Sequence, residues 1–251
     1  MVKAGLILAF LVAVASLAWM ALLPKYAEHE LHEMTGFDVK VPVLSANPFS
    51  GRLYIQGLVA RNPSGYPSPD FIDIHSLQAD VDVLSLLFGD EVRLDNLDLN
   101  VGTLSIIRRH DGKTNVGECT AAFSPPRPAG SPATRPTRFL IKRLHIRLES
   151  LVVEDDTGSK PDRKTYNLNI DHSYTNVSDA RQLLVPDVVH TLYAFGLHHD
   201  TARLLPGDFG VALADAVDGV SAVGSKVKDA TRKTGEYFKG LFDKLEQSPK
   251  P

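Results

Sequence analysis

The stretch Val92-Arg-Leu-Asp-Asn-Leu-Asp-Leu99 carries the pattern that decides the fold. The pattern reads apolar, any, apolar, polar, small or polar, apolar, any, apolar. Further copies occupy residues 53–60, 72–79 and 146–153, and leucine holds the sixth place in all of them. Alternating apolar residues predict strands that bury one face.

The alternation breaks in the middle of each copy, because Leu94 and Leu97 are three positions apart rather than two. A plain strand would turn its later apolar residues to the opposite face, whereas a β-bulge returns them to the first face. We therefore predict a curved antiparallel sheet with one continuous apolar face. The sixth-place leucines are predicted to form one core row that lines an apolar groove: Leu58, Leu77, Leu97 and Leu151. Chance alternation in an ordinary β-sandwich is the alternative interpretation.

Turn-forming residues bound a predicted β domain over residues 37–180. The segment 124–138 contains five prolines, so it is predicted to be a flexible or polyproline-like loop rather than a strand. A further, weaker strand is predicted from Thr165 to Tyr174.

The N-terminal sequence has no charged residue from Ala4 to Leu23. Twenty helical residues span about 30 Å, the thickness of the bilayer hydrocarbon. Residues 1–24 are therefore predicted to form a transmembrane anchor, followed by a juxtamembrane helix over residues 25–36. A cleaved signal peptide with the motif Ala13-Val14-Ala15 is the competing interpretation. Lys3 precedes the apolar run, which favours a single-pass topology with the bulk of the chain outside.

Helical periodicity marks a C-terminal region over residues 181–251. Pro186 suits the first turn of one helix and Gly196 its end. A second helix is predicted to begin at Asp208 and to place apolar residues on one face. This candidate membrane-surface helix has lysines and an arginine on its flanks; alternatively, its apolar face packs on the β domain or on a partner. Its apolar residues are Phe209, Leu213, Val220, Val227, Phe238, Leu241 and Leu245.

No pattern of catalytic chemistry is visible. The net charge of −3 argues against a nucleic-acid partner. The single cysteine, Cys119, excludes an internal disulfide and a cysteine-based zinc site. His190 with the run His198-His199-Asp200 can be drawn as a metal cluster, but adjacent histidines diverge by about 100° on a helix, so a solvated helix end is the better interpretation. We predict no catalytic, cofactor-binding or metal-binding residue, and no cofactor.

Two turns carry a family resemblance. Asn62-Pro63-Ser64-Gly65-Tyr66 resembles the "NP-x-G-aromatic" turn of the AsmA family, and Asp111-Gly112-Lys113-Thr114-Asn115 resembles the "dG-x-x-N" step that ends its unit. Between them the chain has the expected order of Ile72–Leu77, a Ser-Leu-Leu step and a glycine turn at Gly89. The match covers about residues 1–180.

This resemblance implies an α+β protein with a rolled sheet and an apolar groove, related to chorein-type lipid-transfer bridges. It implies a place in the inner membrane with the chain facing the periplasm, and a role in envelope lipid handling or outer-membrane assembly. The expected partners are membrane lipids and a larger envelope protein bound through a sheet edge. A tethered scaffold with a domain of the type-2 late-embryogenesis-abundant kind, which carries no lipid, is the alternative.

Overall fold

The computed structural model describes residues 22–123, 138–194, 196, 202, 204–205 and 209–222. Within these residues the chain is α+β, with one seven-stranded sheet and five α-helices. The helices are α1 (22–35), α2 (Val83–Phe88), α3 (Asn115–Ala122), α4 (Pro186–Ala194) and α5 (209–222). The strands are β1 (Asp38–Lys40), β2 (Val43–Asn47), β3 (Arg52–Arg61), β4 (Asp70–Val81), β5 (Glu91–Arg108), β6 (Arg138–Asp155) and β7 (Asp162–Val177).

The sheet runs in the order β1-β3-β4-β5-β6-β7, and β2 also pairs with β3. β1 and β2 pair with opposite ends of β3 and are separated by Val41 and Pro42. Proline lacks an N–H for the ladder and is tolerated at a sheet edge. Pro42 therefore explains why the edge of the sheet is divided into two short strands, β1 and β2.

One face of the sheet carries a row of apolar residues across four strands, β3 to β6. The register aligns Ile55 with Leu77, Leu77 with Leu99, and Leu99 with Ile146. The opposite face holds cross-strand ion pairs, among them Arg147 with Asp171. Apolar residues on one face and charged residues on the other are typical of a sheet that packs on one side and meets solvent on the other.

The predicted change of alternation inside the strands is confirmed. In β3, Leu53, Ile55, Leu58 and Ala60 share one hydrophobic cluster, although Ile55 and Leu58 are three positions apart. Gly57 makes this possible with a φ of +71°, which is a left-handed conformation that glycine adopts without steric cost. Register irregularities also occur at the other copies of the pattern, beside Ser76, Asn96 and Ser150.

Helices from both ends of the chain cover the apolar face. α1 packs on β3 through Leu23, Ala27 and Leu31. α4 and α5 pack over β5, β6 and β7 with buried residues that belong to a single cluster: Val189, Leu192, Leu213, Ala214 and Val217. The predicted helix from Pro186 to the glycine turn at Gly196 is confirmed, since α4 begins at Pro186 and Gly196 has a φ of +85°.

The predicted fold class is wrong in its transmembrane helix. In the described part of the chain, no helix combines the length and the apolar character needed to cross a bilayer. The helix that is described there, α1, carries Lys25, Glu28, Glu30 and Glu33. Residues 1–21, on which most of the predicted anchor falls, lie outside the described residues.

The predicted antiparallel sheet is mostly antiparallel in the structure, but β5 and β6 pair in parallel. Parallel neighbours need a crossover connection of about a dozen residues or more. Residues 109–137 supply that connection, and they include α3 and the proline-rich segment, of which residues 124–137 lie outside the described residues.

A buried asparagine joins the two turns that resemble AsmA motifs. Asn115 is fully buried, and its amide nitrogen donates to Asn62 Oδ1 at 3.0 Å and to the Ser105 carbonyl at 2.8 Å. Its Oδ1 accepts from the Ile107 N–H at 2.9 Å. Asn62 in turn donates to the carbonyls of Ser68 and Asp70. The two motifs are therefore one hydrogen-bonded unit at this end of the sheet.

We expect Asn115→Ala to lower the free energy of unfolding by more than about 3 kcal/mol, because it orphans several buried groups that cost about 1–3 kcal/mol each. Asn100→Ala is the matched control, since Asn100 Oδ1 is buried without a hydrogen bond among the described residues. Its cost should stay below about 1 kcal/mol. Urea unfolding followed by circular dichroism measures both, and equal costs would contradict the role of the network.

Gly57→Ala should destabilise the protein by about 1–2 kcal/mol, because a Cβ is disfavoured at the left-handed φ of Gly57. Space is not the obstacle, since an added Cβ would meet Pro42 Cγ only at 3.6 Å. Gly219→Ala in α5 is the control, where an added Cβ meets nothing within 4 Å and helix propensity predicts stabilisation of about 1 kcal/mol. We expect the two substitutions to shift the melting temperature in opposite directions. An unchanged melting temperature for Gly57→Ala would contradict the role of Gly57 in the bend of β3.

Candidate functional site

An apolar cavity of about 190 Å³ lies between the sheet and the C-terminal helices. Its floor comes from β5, β6 and β7, and its roof from α4, α5 and the segments beside them. The lining residues are Leu104, Ile106, Ile146, Leu148, Leu151, Leu168, Ile170, Tyr174, Leu183, Leu184, Val188, Leu192, Leu205, Phe209 and Leu213.

The lining of this cavity is almost entirely apolar. Tyr174 alone among its lining residues has a polar side-chain group, and its hydroxyl donates to the Leu183 carbonyl at 3.0 Å. Burial raises the pKa of this phenol. A hydrogen-bonded phenol and otherwise apolar walls favour an apolar guest, because pockets of this lining bind mainly through apolar contact.

The size of the cavity limits what it holds. Pockets for whole drug-sized ligands usually measure about 300–1,000 Å³. At about 190 Å³ this cavity is smaller, so it accommodates part of one hydrocarbon chain and leaves any polar headgroup outside.

The four leucines of the predicted groove do not form one row. Leu58 pairs with Ile74, whereas Leu77 pairs with Ile55 and Leu99. Neighbouring antiparallel strands run in opposite directions, so equivalent places in the repeat fall at different heights of the sheet. Only Leu151 lines the cavity and is buried, with 5% of its surface exposed; the other three are half-buried: Leu58, Leu77 and Leu97.

The predicted membrane-surface helix packs on the sheet over the residues that are described. Leu213 is 2% exposed, and Phe209 and Leu213 line the cavity. Val220 packs against the same cluster. The remaining residues of that predicted face lie outside the described residues: Val227, Phe238, Leu241 and Leu245.

Sequence reasoning missed the contribution of β7. Leu168 and Ile170 reach the cavity from this edge strand, and Tyr166 joins the same hydrophobic cluster. Their spacing of two residues was a visible signal. The strand is also longer than predicted and extends over Asp162–Val177.

Two histidines of the described residues, His145 and His32, take part in hydrogen bonds. His145 lies on the polar face, with Nδ1 3.0 Å from Asp98 Oδ2 and Nε2 2.7 Å from Asp171 Oδ1. Hydrogen bonding to Asp98 and then to Asp171 raises the pKa of its ring. His32 Nδ1 lies 2.8 Å from the Phe37 carbonyl. No group of three potential ligands suits a metal within the described ranges, and the run 198–200 lies outside them.

Truncation should separate Leu151 from the other groove leucines. Leu151→Ala should cost about 2–5 kcal/mol of unfolding free energy, because it enlarges a buried cavity. Leu77→Ala is the matched control on the same face and should cost clearly less, because Leu77 is half-buried. Chemical denaturation of both variants measures the difference. A cost for Leu77→Ala as large as that for Leu151→Ala would mean that a cover lies over Leu77.

Comparisons of the chain with protein-family models, with curated proteins and with solved structures gave no match. The AsmA resemblance therefore stays a prediction that depends on the two turns and the order of strands between them. The geometry of the cavity carries the functional argument.

Proposed function

We propose that this chain is a non-catalytic lipid-handling protein that holds part of one acyl chain in the cavity beneath α4 and α5. The observation that carries the proposal is an apolar lining in which, among the described residues, Tyr174 has the only polar side-chain group, already hydrogen-bonded. The proposed setting is the bacterial inner membrane, with the domain facing the periplasm, as in AsmA-like proteins.

Hydrocarbon burial supplies the affinity. Each CH₂ group that leaves water contributes about 0.8 kcal/mol. A chain that enters the cavity therefore gains free energy in proportion to its inserted length, and the short cavity caps that gain. Weak, reversible binding of the acyl chain suits a protein that passes lipid on better than a protein that stores it.

The width of the sheet limits the reach of the protein. Six strand positions with spacings of about 4.8 Å span about 24 Å. This is much shorter than a bridge between two membranes, so the chain takes up lipid near its own membrane or passes it to a longer partner. β7 is the edge strand closest to the cavity and pairs only with β6 among the described strands. We assign the partner, a larger envelope protein, to this edge, where an added strand would continue the sheet.

A cavity-filling substitution tests lipid binding. Val188 lines the cavity and is half-buried, so Val188→Trp should place an indole where the acyl chain lies. Val211→Trp is the matched control, because Val211 lies on α5 and is 53% exposed. We expect native mass spectrometry of the protein, released from mild detergent, to show bound phospholipid in the parent and in Val211→Trp but not in Val188→Trp. Cross-linking of a photoactivatable fatty acid should follow the same order.

The opposite results favour the alternative. Absence of lipid from all three proteins would indicate a scaffold whose cavity is only loose packing. Lipid retained equally by Val188→Trp, with unchanged cross-linking, would place the lipid elsewhere. Circular dichroism of each variant must match the parent, so that lost binding is not lost folding.

A further inference from the structure

Five large apolar side chains are exposed at one end of the sheet. They belong to α2 and to the turn between β2 and β3, and we call them the apolar tip. Their exposed fractions are 96% for Phe49, 70% for Leu84, 57% for Leu86, 64% for Leu87 and 83% for Phe88. Single exposed apolar residues are ordinary, but a cluster of this kind marks an interaction site.

The tip is held in place by its neighbours. Asp82 caps α2 by accepting hydrogen bonds from the N–H groups of Leu84 and Ser85. Ser85 is the buried residue of the helix, and its Oγ accepts from the Arg93 N–H at 2.9 Å. The turn that carries Phe49 lies against the same helix, since a Cβ on Gly51 would come within 3.1 Å of Val83 Cγ2. The exposed side chains are thus presented on an ordered support.

The directions of these side chains favour a fluid partner. Successive residues of a helix point about 100° apart. Leu84, Leu87 and Phe88 therefore share one side of α2, at positions i, i+3 and i+4, whereas Leu86 points to another side. A rigid protein surface would contact one of these two sides, whereas the fluid interface of a bilayer can contact both.

The charges beside the tip favour lipid without net charge. Arg52 pairs with Asp80 at 3.7 Å, and Arg93 pairs with Glu91 at 3.0 Å. A surface that binds anionic lipid selectively needs an excess of basic residues. Here each of these arginines lies beside a carboxylate, so apolar contact dominates.

The uncharged sequence from Ala4 to Leu23 leads into the first described residues of α1. α1 runs antiparallel to β1, because Glu28 Oε1 accepts from the Val41 N–H at 2.7 Å while the helix ends beside Phe37. Its first described residue, Leu22, therefore points toward the end of the sheet that carries α2. Leu22, the exposed described end of this uncharged sequence, and the apolar tip are therefore directed to the same end of the sheet, which favours one apolar environment for both.

From this arrangement we infer that the apolar tip inserts into the interface of a net-neutral lipid bilayer. The strands then stand end-on to the membrane, and the polar sheet face remains in water. Acyl-chain binding in the cavity is a separate matter, because the tip and the cavity share no residue. Phe209 and Leu213 of the predicted membrane-surface helix pack on the sheet, so within the described residues the tip is the better candidate for membrane contact.

Site-directed labelling of the full chain tests the tip. In a Cys119→Ala background, Leu86→Cys carries an environment-sensitive fluorophore in phosphatidylcholine vesicles. Two matched positions serve as controls: Val211→Cys on α5 and Lys113→Cys at the opposite end of the sheet, both exposed. We expect lipid-borne nitroxide to quench the label at Leu86→Cys strongly, with blue-shifted emission, and to leave both controls unquenched. Phosphatidylglycerol or salt should change this result little.

Three outcomes would overturn the inference. Equal, weak quenching at all three positions would leave the tip in water. A blue-shifted label at position 86 without quenching would mean that protein, either another segment of this chain or a second copy, covers the tip. Quenching that appears only with phosphatidylglycerol and disappears in salt would mean electrostatic attraction instead of apolar insertion. Lipid found or missing in the cavity changes none of these readouts.

Discussion

The hydrogen bond between Asn115 and Asn62 is the constraint on which the sheet depends. It joins the turn after β3 to the turn after β5, which are 53 residues apart in sequence. Asn115 also bonds the backbone of β5 at Ile107 and Ser105, so one side chain satisfies groups that the sheet ladder leaves unpaired. A buried amide tolerates few substitutes, because any partner left unbonded loses its water without compensation.

A second contact closes the same end of the sheet. The hydroxyl of Tyr66 donates to Glu118 Oε2 at 2.9 Å, and the Arg109 guanidinium lies 5.1 Å from the centroid of the Tyr66 ring. Burial, followed by the bond to Glu118, raises the pKa of this tyrosine. α3 is thereby held against the turn after β3, although the crossover that it begins continues to the far end of the sheet. Rigid closure here contrasts with the exposed helix α2 at the other end.

Sequence reasoning succeeded where the determining interaction is local. The spacing of Leu94 and Leu97 revealed bends within strands, and Pro186 located the start of α4. It failed where the structure depends on pairing between segments that are distant in sequence. Nothing near Val92 shows that this strand pairs in parallel with Phe139, because that choice depends on the path of residues 109–137. The apolar face of α5 was ambiguous for the same reason: packing on a sheet and lying on a membrane require the same periodicity. The cavity forms between elements, so no single segment encodes it. The alternation of apolar and polar residues in β7 was the one local signal of its contribution.

The parallel pairing of β5 with β6 has a consequence for the time course of folding. Glu91 pairs with Arg138 and Arg108 with Asp155, so every contact along this seam joins residues 47 positions apart. β3–β4, β4–β5 and β6–β7 are instead joined by short connections. We expect this seam to form late in folding, because closure of the long connection costs chain entropy before its contacts can repay it. Loop entropy grows only logarithmically, with about 0.6 kcal/mol for each doubling of length. A change of length confined to residues 124–137 therefore costs little closure entropy, whereas a change that displaced Asn115 would break its bonds to Asn62 and Ile107.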